Sequence, residues 1–551
     1  MISATTQLLT LFVAVGVLWG LSMRKRSKSN LWKLPGPKST SWLKGAPYMM
    51  LSVVRLSEEH MKGTSRNSRI PPERVNSTKC LWSNEHQLYT FDPKVMHHVL
   101  VKPRFINATQ ALIGSQTLWT VGHHHRKQRK SLNPVFSISH MREMLPVFYE
   151  VVNKLQKALI EKVESEPQEV DMLTWISRTA LELIGQSGLG YSFDPLTSDA
   201  TEHTYSQTIK NLIPALQRLP ALRFLVLRLI GNIGTPRFRR FLVDSIPLES
   251  LQEVKKMSDY MWGLSEEIYE SKKQALAAGD EAVTQQVGHG KDIMSILMRG
   301  NMNADDDKLD EKEVIAQVSS STLIFAAMDT TSNALSRILN LLSVHPGVQD
   351  KLRKELLEAR STNEELSYDT LVELPYLDAI CRETLRLYPP GLSMSRIAIR
   401  DISVPLSQPI VGLDGSKITE LAISKDTPIV LSFINSNRNP DLWGPDALEW
   451  KPERWLSPLP QAVIDAHLPG VYSHLMTFSA GTRSCIGFKF SQLEMKAVLS
   501  SLISTFKFAL VKDKKITWSQ SGLTTPFVEG DTKHPRLPLT VSIADQSKES
   551  A

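Results

Sequence analysis

A single cysteine, Cys485, sits in the Gly-bracketed turn Phe478-Ser479-Ala480-Gly481-Thr482-Arg483-Ser484-Cys485-Ile486-Gly487. A run of helical character follows from Phe488 to Thr505. The sulfur is therefore expected near a helix N-terminus, the end that favours a thiolate over a thiol, and the thiolate is the metal-binding form. Arg483 offers a planar fork of donors that matches a carboxylate. Gly481 and Gly487 can take backbone angles closed to other residues and let a flat cofactor approach the chain. The plainer alternative is a buried, inert cysteine. A motif counts only with its context, which has to lie elsewhere in the chain.

Three further groups supply that context. The first is Ala326-Ala327-Met328-Asp329-Thr330-Thr331, an acid and two hydroxyls inside a long apolar run. An acid there needs a partner or a purpose, because burying a charge is costly. The second is Glu383-Thr384-Leu385-Arg386, opposite charges three apart on one helix face, followed by Tyr388-Pro389-Pro390-Gly391 and later Pro452-Glu453-Arg454-Trp455. Alone, such a pair is usually a surface salt bridge. The third is Gly122-His123-His124-His125-Arg126-Lys127-Gln128-Arg129-Lys130. Adjacent histidines point to different faces of a helix and converge poorly on one zinc ion, whereas His125 and Arg129, four apart, share a face.

These groups need a large folded body. With 551 residues, 42% of them hydrophobic, the chain has ample core. Three cysteines, Cys80, Cys381 and Cys485, cannot make a disulfide framework and suit a reducing compartment. A formal charge of +7 is modest for this length and argues against a nucleic-acid partner. Ile2 to Ser22 is apolar and just long enough to cross a bilayer, and Arg24, Lys25, Arg26 and Lys28 follow it. Charges after the apolar stretch favour a retained anchor over a cleaved signal and place the body in the cytosol. Residues 1–22 are thus read as an anchor, 23–38 as a basic, Pro-rich linker and 39–551 as the catalytic domain.

Helices are expected to carry most of the body. Asp92-Pro93 should start a short one, with an N-cap acid and a first-turn proline. Phe105 to Val121 has no period and reads as a loop. Met141–Val163, Val170–Gly188 and Met257–Ala278 have helical spacing. Leu212 to Ile233 is apolar and basic, as expected either of a buried helix or of one lying in a membrane interface. Asp310 with Glu313 suggests a capping box opening an apolar helical run that ends at His345, before Pro346. Short alternating stretches from Ala398 to Ile434 read as a small sheet.

The cysteine turn resembles the ligand signature of the cytochrome P450 family, Phe-x-x-Gly-x-Arg-x-Cys-x-Gly, at every fixed position. The resemblance implies a mainly α fold with a small β subdomain, here behind an N-terminal transmembrane helix. It implies haem b, with Cys485 as the iron ligand and Phe478 and Gly481 among the residues that bind the haem. Arg129, Arg396 and Arg483 would meet the propionates. His125 would bind a propionate too, at a position where many members carry Trp. Asp329-Thr330 resembles the pair that delivers protons in oxygen activation, with Ala327 replacing the usual glycine. Glu383, Arg386 and Arg454 resemble the family's structural lock. Arg126, Lys127 and Lys130 resemble part of a reductase-docking face.

The implied activity is insertion of one oxygen atom from O2 into a lipophilic small molecule. Electrons would come from NADPH through a separate reductase, NADPH-cytochrome P450 reductase, because the chain shows no nicotinamide or flavin fingerprint. The implied location is the endoplasmic reticulum membrane, in contact with lipid. The run from His474 to Lys489 is similar to fungal members, often found in secondary metabolism or xenobiotic oxidation. Two rivals stay open: a haem-thiolate isomerase or dehydratase, against which the intact Asp329-Thr330 pair speaks, and a non-catalytic haem sensor. NADPH consumption in the presence of reductase separates the sensor from an enzyme.

Overall fold

The computed structural model describes residues 30–34, 74–79, 86–102, 105–107, 122–197, 203–218, 234–279, 281–282, 285–303, 308–318, 323–361, 365–519, 523–531 and 533–544. The expected anchor, most of Phe105 to Val121 and the stretch from Leu219 to Ile233 lie outside them. Among the described residues no helix is long and apolar enough to cross a membrane. The chain forms two compact bodies, one of Met1–Ala108, Leu392–Leu448 and Pro460–Ser484, the other of Thr109–Gly391, Glu449–Leu459 and Cys485–Ala551.

The first body is built on a five-stranded sheet, in the spatial order Val75–Lys79, His86–Thr90, Pro428–Ser432, Ser393–Ala398, Phe105–Asn107. His86–Thr90 and Pro428–Ser432 pair in parallel, and Ile429, Val430 and Leu431 are all buried. A continuous apolar run is what a strand covered on both faces requires. Phe105–Asn107, expected to be part of a loop, is instead the edge strand, paired with Ala398, Ile397 and Arg396. The helix Pro93–Val101 begins as its sequence demands: Asp92 Oδ1 accepts from the N–H groups of Lys94 (3.0 Å) and Val95 (3.1 Å). Two antiparallel ribbons complete this body, Ile402–Val411 with Lys417–Ile423 and Gly470–Tyr472 with Leu475–Ala480.

The second body is helical. Its core contains the central helix Leu323–Val344, the cysteine helix Phe488–Thr505, and the helices Ile138–Val163, Met172–Ile184 and Pro375–Leu387. Phe148 and Phe490 meet edge to face, their centroids 5.0 Å apart, where the helix Ile138–Val163 packs on the cysteine helix. Buried Arg353 donates to the carbonyls of Ile503 and Phe506, both at 3.0 Å, and so closes the C-terminal end of the cysteine helix. A three-stranded sheet, Phe506–Leu510, Pro538–Ile543, Gln168–Asp171, flanks the helices.

The run from Asp310 to His345 is helical over Glu311–Val318 and Leu323–Val344, with the residues between them outside the described ones. Two expectations need correction here. The capping box is replaced, because the Glu313 carboxylate turns to another helix, accepting from Gln128 Nε2 at 2.9 Å and pairing with His124. In addition, the helix expected from Met257 starts earlier, at Glu249.

Candidate functional site

In the second body, Cys485 lies just before the cysteine helix, whose N-cap is Gly487. The cysteine keeps an accessible surface although protein crowds around it. Burial pushes its thiol above the ordinary value, while the Gly487 N–H donated to sulfur and the charge of Arg129 pull it down. Burial is the larger effect, so the helix terminus does not by itself yield a thiolate as the sequence suggested. A bound metal ion reverses that balance, since a coordinating thiol loses its proton outright. Gly487 departs from expectation too. Its φ of −87° is open to any residue, and an added Cβ would meet nothing closer than Phe136, at 3.9 Å.

Arg129 is carried by the helix Gly122–Leu132, together with buried His125 and Gln128. Its guanidinium is half-buried, lowered by desolvation and raised by the sulfur of Cys485. The three histidines diverge: His123 and His124 are exposed and His125 is 5% exposed. Among the described residues no group of His, Cys, Asp and Glu could hold a separate metal ion.

The central helix presents two unlike faces. Ile324, Met328, Thr331 and Leu335 are buried, whereas Leu323, Ala326, Ala327 and Thr330 retain accessible surface. The Thr330 hydroxyl donates to the Ala326 carbonyl at 2.6 Å, which leaves its lone pairs free to accept a proton donor on the open face. Burial raises the Asp329 carboxyl from 3.8 to about 6, with Lys210 opposing. Thr331 turns inward and donates to Ser491 on the cysteine helix at 3.1 Å. Beside it lies Glu494, fully buried, its carboxyl oxygens without a well-formed hydrogen bond and with the Thr331 hydroxyl as the polar group close enough to pull its carboxyl down. Desolvation holds its carboxyl well above the ordinary range. Sequence reasoning passed over Glu494, although an acid amid Leu493, Met495, Ala497 and Val498 was a visible signal.

Glu383 and Arg386 are wholly buried, unlike the common surface pair. Arg386 Nε and Nη2 reach the two Glu383 oxygens, each at 2.8 Å. Arg454 Nε approaches the same carboxylate at 3.4 Å, Trp455 Nε1 at 2.9 Å and the Lys451 N–H at 3.1 Å. Arg386 Nη2 also donates to the Glu449 carbonyl at 3.2 Å, and Trp450 Nε1 to Thr384 at 3.0 Å. The contribution of Trp455, Trp450 and Lys451 was not expected, since aromatic and backbone donors carry no charge pattern to read.

In the first body, Phe478 is buried against Tyr472, edge to face with centroids 5.5 Å apart. The strand then turns through Gly481 at φ +67°, where an added Cβ would fall 2.3 Å from the Leu100 carbonyl oxygen. The glycine is thus required by its own backbone neighbour. Arg396 is 2% exposed; its Nη1 donates to the Ser395 carbonyl and its Nη2 has no hydrogen-bond partner. Burial, and then the nearby positive Arg483, bring its guanidinium down to about 10. An orphaned buried donor beside a second cation fits an anionic ligand group such as a propionate. The donor sets on both bodies therefore suit haem: a sulfur ligand with an adjoining arginine on one, a paired-arginine anion site on the other.

Comparison with known proteins agrees. The Cytochrome P450 family model matches residues 78–531. Cytochrome P450 monooxygenase 91 of Postia placenta is 47% identical, over 96% of this chain and 97% of the relative. Ganoderic acid synthetase of Ganoderma lucidum is 44% identical over 96% and 97% of the two chains, and the P450 monooxygenase eriI of Hericium erinaceus 36% over 95% of each. On the strength of this match and of relatives similar along nearly their whole length, the chain belongs to the cytochrome P450 family of haem b monooxygenases.

Proposed function

We propose that this chain inserts one oxygen atom from O2 into a lipophilic small molecule, using electrons from NADPH relayed by a separate NADPH-cytochrome P450 reductase. Haem ligated by a cysteine thiolate supplies the oxygen chemistry, because the thiolate pushes electron density onto iron and favours O–O cleavage. Cys485 would be that ligand, Arg129, Arg396 and Arg483 would hold the propionates with His125, and Phe478 and Gly481 would set the loop before the cysteine. Glu383, Arg386 and Arg454 would lock the surrounding backbone.

The observation that carries the reading is the open face of the central helix. Thr330 presents acceptor lone pairs there, so a water held by its hydroxyl can be positioned for proton transfer. Asp329 has an ionisation near 6 and can both take and release a proton at neutral pH. Its neighbour Lys210 lies on the helix Thr204–Gln217. The hydroxyl is assigned to the reacting side and the acid to resupply.

His123, Arg126, Lys127 and Lys130 line an open basic recess on the helix Gly122–Leu132, which suits an acidic electron donor. The apolar Ile2–Ser22 segment supports a single-pass endoplasmic reticulum anchor with a cytosolic body. The name of one relative, ganoderic acid synthetase, favours a place in secondary metabolism.

Thr330→Ala tests the assignment. Haem content and the substrate-induced spectral change should stay near wild type, while product per NADPH falls severalfold and the missing electrons appear as hydrogen peroxide or water. Thr331→Ala should lose some stability through its buried bond to Ser491 yet keep its coupling. Full coupling in Thr330→Ala would place proton delivery elsewhere.

A further inference from the structure

We propose that Arg337 is a positioning residue for the reaction: it acts through Trp518 to fix where the hairpin Ile516–Ser519/Thr525–Val528 lies on the central helix, and so how a lipophilic substrate is held relative to Thr330. This rests on the reading of the open face of the central helix as the reacting face.

Arg337 stands seven residues after Thr330, two helical turns and about 10 Å further along the same face. Its neighbours Leu335, Ile338, Leu339 and Leu342 are buried and apolar, so the cation needs company. That company is aromatic. The guanidinium carbon lies 3.5 Å from the centre of the Trp518 ring and 4.2 Å from that of Tyr388. A planar, weakly hydrated cation suits such contacts, which strengthen where water is excluded. Trp518 is also held at its edge, since its Nε1 donates to Asn340 Oδ1 at 3.4 Å. Asn340 follows Arg337 by three residues, so one turn of the central helix grips both the face and the edge of the indole.

The two aromatic partners lead to one place. Trp518 pairs with Pro526 across the hairpin, and the strand Thr525–Val528 packs on the central helix. Tyr388 caps the helix Pro375–Leu387 and is followed by Pro389-Pro390-Gly391. There the segments meet: the Thr524 N–H donates to the Pro390 carbonyl at 3.1 Å, and Leu523 forms an isolated bridge with Gly391. Arg337 thus ties together two stretches that are also joined to each other. Leu523, Thr525 and Phe527 keep accessible surface, and their distance from Thr330 is set through this tie. A shift of about 1 Å in such a wall is enough to misplace a reacting atom.

The test uses the haem-loaded full chain, with two readouts. Hydrogen exchange followed by mass spectrometry reports on residues 523–528, and spectral titration with imidazole and with 1-octylimidazole separates the iron from the walls around it. Arg337→Leu should speed exchange at 523–528 and weaken 1-octylimidazole about threefold to tenfold, with imidazole itself unchanged. Trp518→Leu should do the same, and the double variant should be no worse than either single one. Trp518→Phe should recover most of the loss, whereas Arg337→Lys, which keeps the charge without the plane, should recover little. Unchanged exchange at 523–528, additive losses in the double variant, or equal weakening of both imidazoles would overturn the proposal. If Arg337→Leu fails to load haem, Arg337→Lys must show the faster exchange, and its absence would overturn the proposal equally. A wild-type chain that gives no imidazole spectrum would remove the underlying haem reading, and the proposal with it.

Discussion

Arg386→Met should cost far more than Arg454→Met, although both arginines address one carboxylate. Glu383, fully buried, accepts two charge-assisted bonds from Arg386 at 2.8 Å each and one long contact from Arg454 at 3.4 Å. Removing Arg386 strands a buried carboxylate, a loss of about 3–5 kcal/mol. Removing Arg454 leaves Arg386, Trp455 and the Lys451 N–H in place, so about 1–2 kcal/mol is expected. Domains are stable by only about 5–15 kcal/mol, so the first change removes roughly a fifth or more of the margin. Urea unfolding followed by tryptophan fluorescence, alongside loss of the red-shifted Soret band of the reduced carbon monoxide complex, reads both variants. The cofactor breaks two-state behaviour, so midpoints are compared at matched haem occupancy. Trp455→Phe should fall between the two or near Arg454→Met. Equal losses for Arg386→Met and Arg454→Met would refute the reasoning, because the bidentate geometry would then carry no weight.

Two other outcomes follow from the same structure. Cys485→Ala should abolish the red-shifted band of the carbon monoxide complex, and a variant that kept it would disprove the ligand assignment. Asp329→Asn should change the pH dependence of stability. The carboxyl ionises near 6 when folded against 3.8 ordinarily, so its protonated form favours the fold; that contribution is complete below about pH 4 and gone above about pH 6. The asparagine lacks this loss, so it should gain on wild type across that window by about 1–2 kcal/mol, after allowance for partial exposure. A difference in urea midpoint that stays flat from pH 4 to 7 would contradict it.

Local rules were the most legible part of the chain. The cysteine helix runs from Phe488 to Thr505 as its sequence indicates, because apolar spacing and the preceding glycine mark both its body and its start. Asp92 caps the helix it precedes, since the cap chemistry is complete within four residues. The family itself was readable because its signature is contiguous. What could not be read was long-range choice. Glu313 had a local capping option and took Gln128 and His124 instead, residues that no spacing rule connects to it. At Gly481 the close approach of the Leu100 carbonyl, which makes glycine necessary, comes from a residue far off in sequence. Whether the Glu383–Arg386 pair sat in water or in the core depended on Trp455, Trp450 and Lys451, more than sixty residues away.

The parallel pairing of His86–Thr90 with Pro428–Ser432 also sets a schedule for biosynthesis. A ribosome adding about 5–20 residues per second reaches the second strand tens of seconds after the first has emerged. During that interval His86–Thr90 has Val75–Lys79 on one side and an open edge on the other. Nascent chains halted before Pro428 should therefore depend on chaperones and be prone to strand-mediated aggregation, and slow codons placed between the two strands should lower yield.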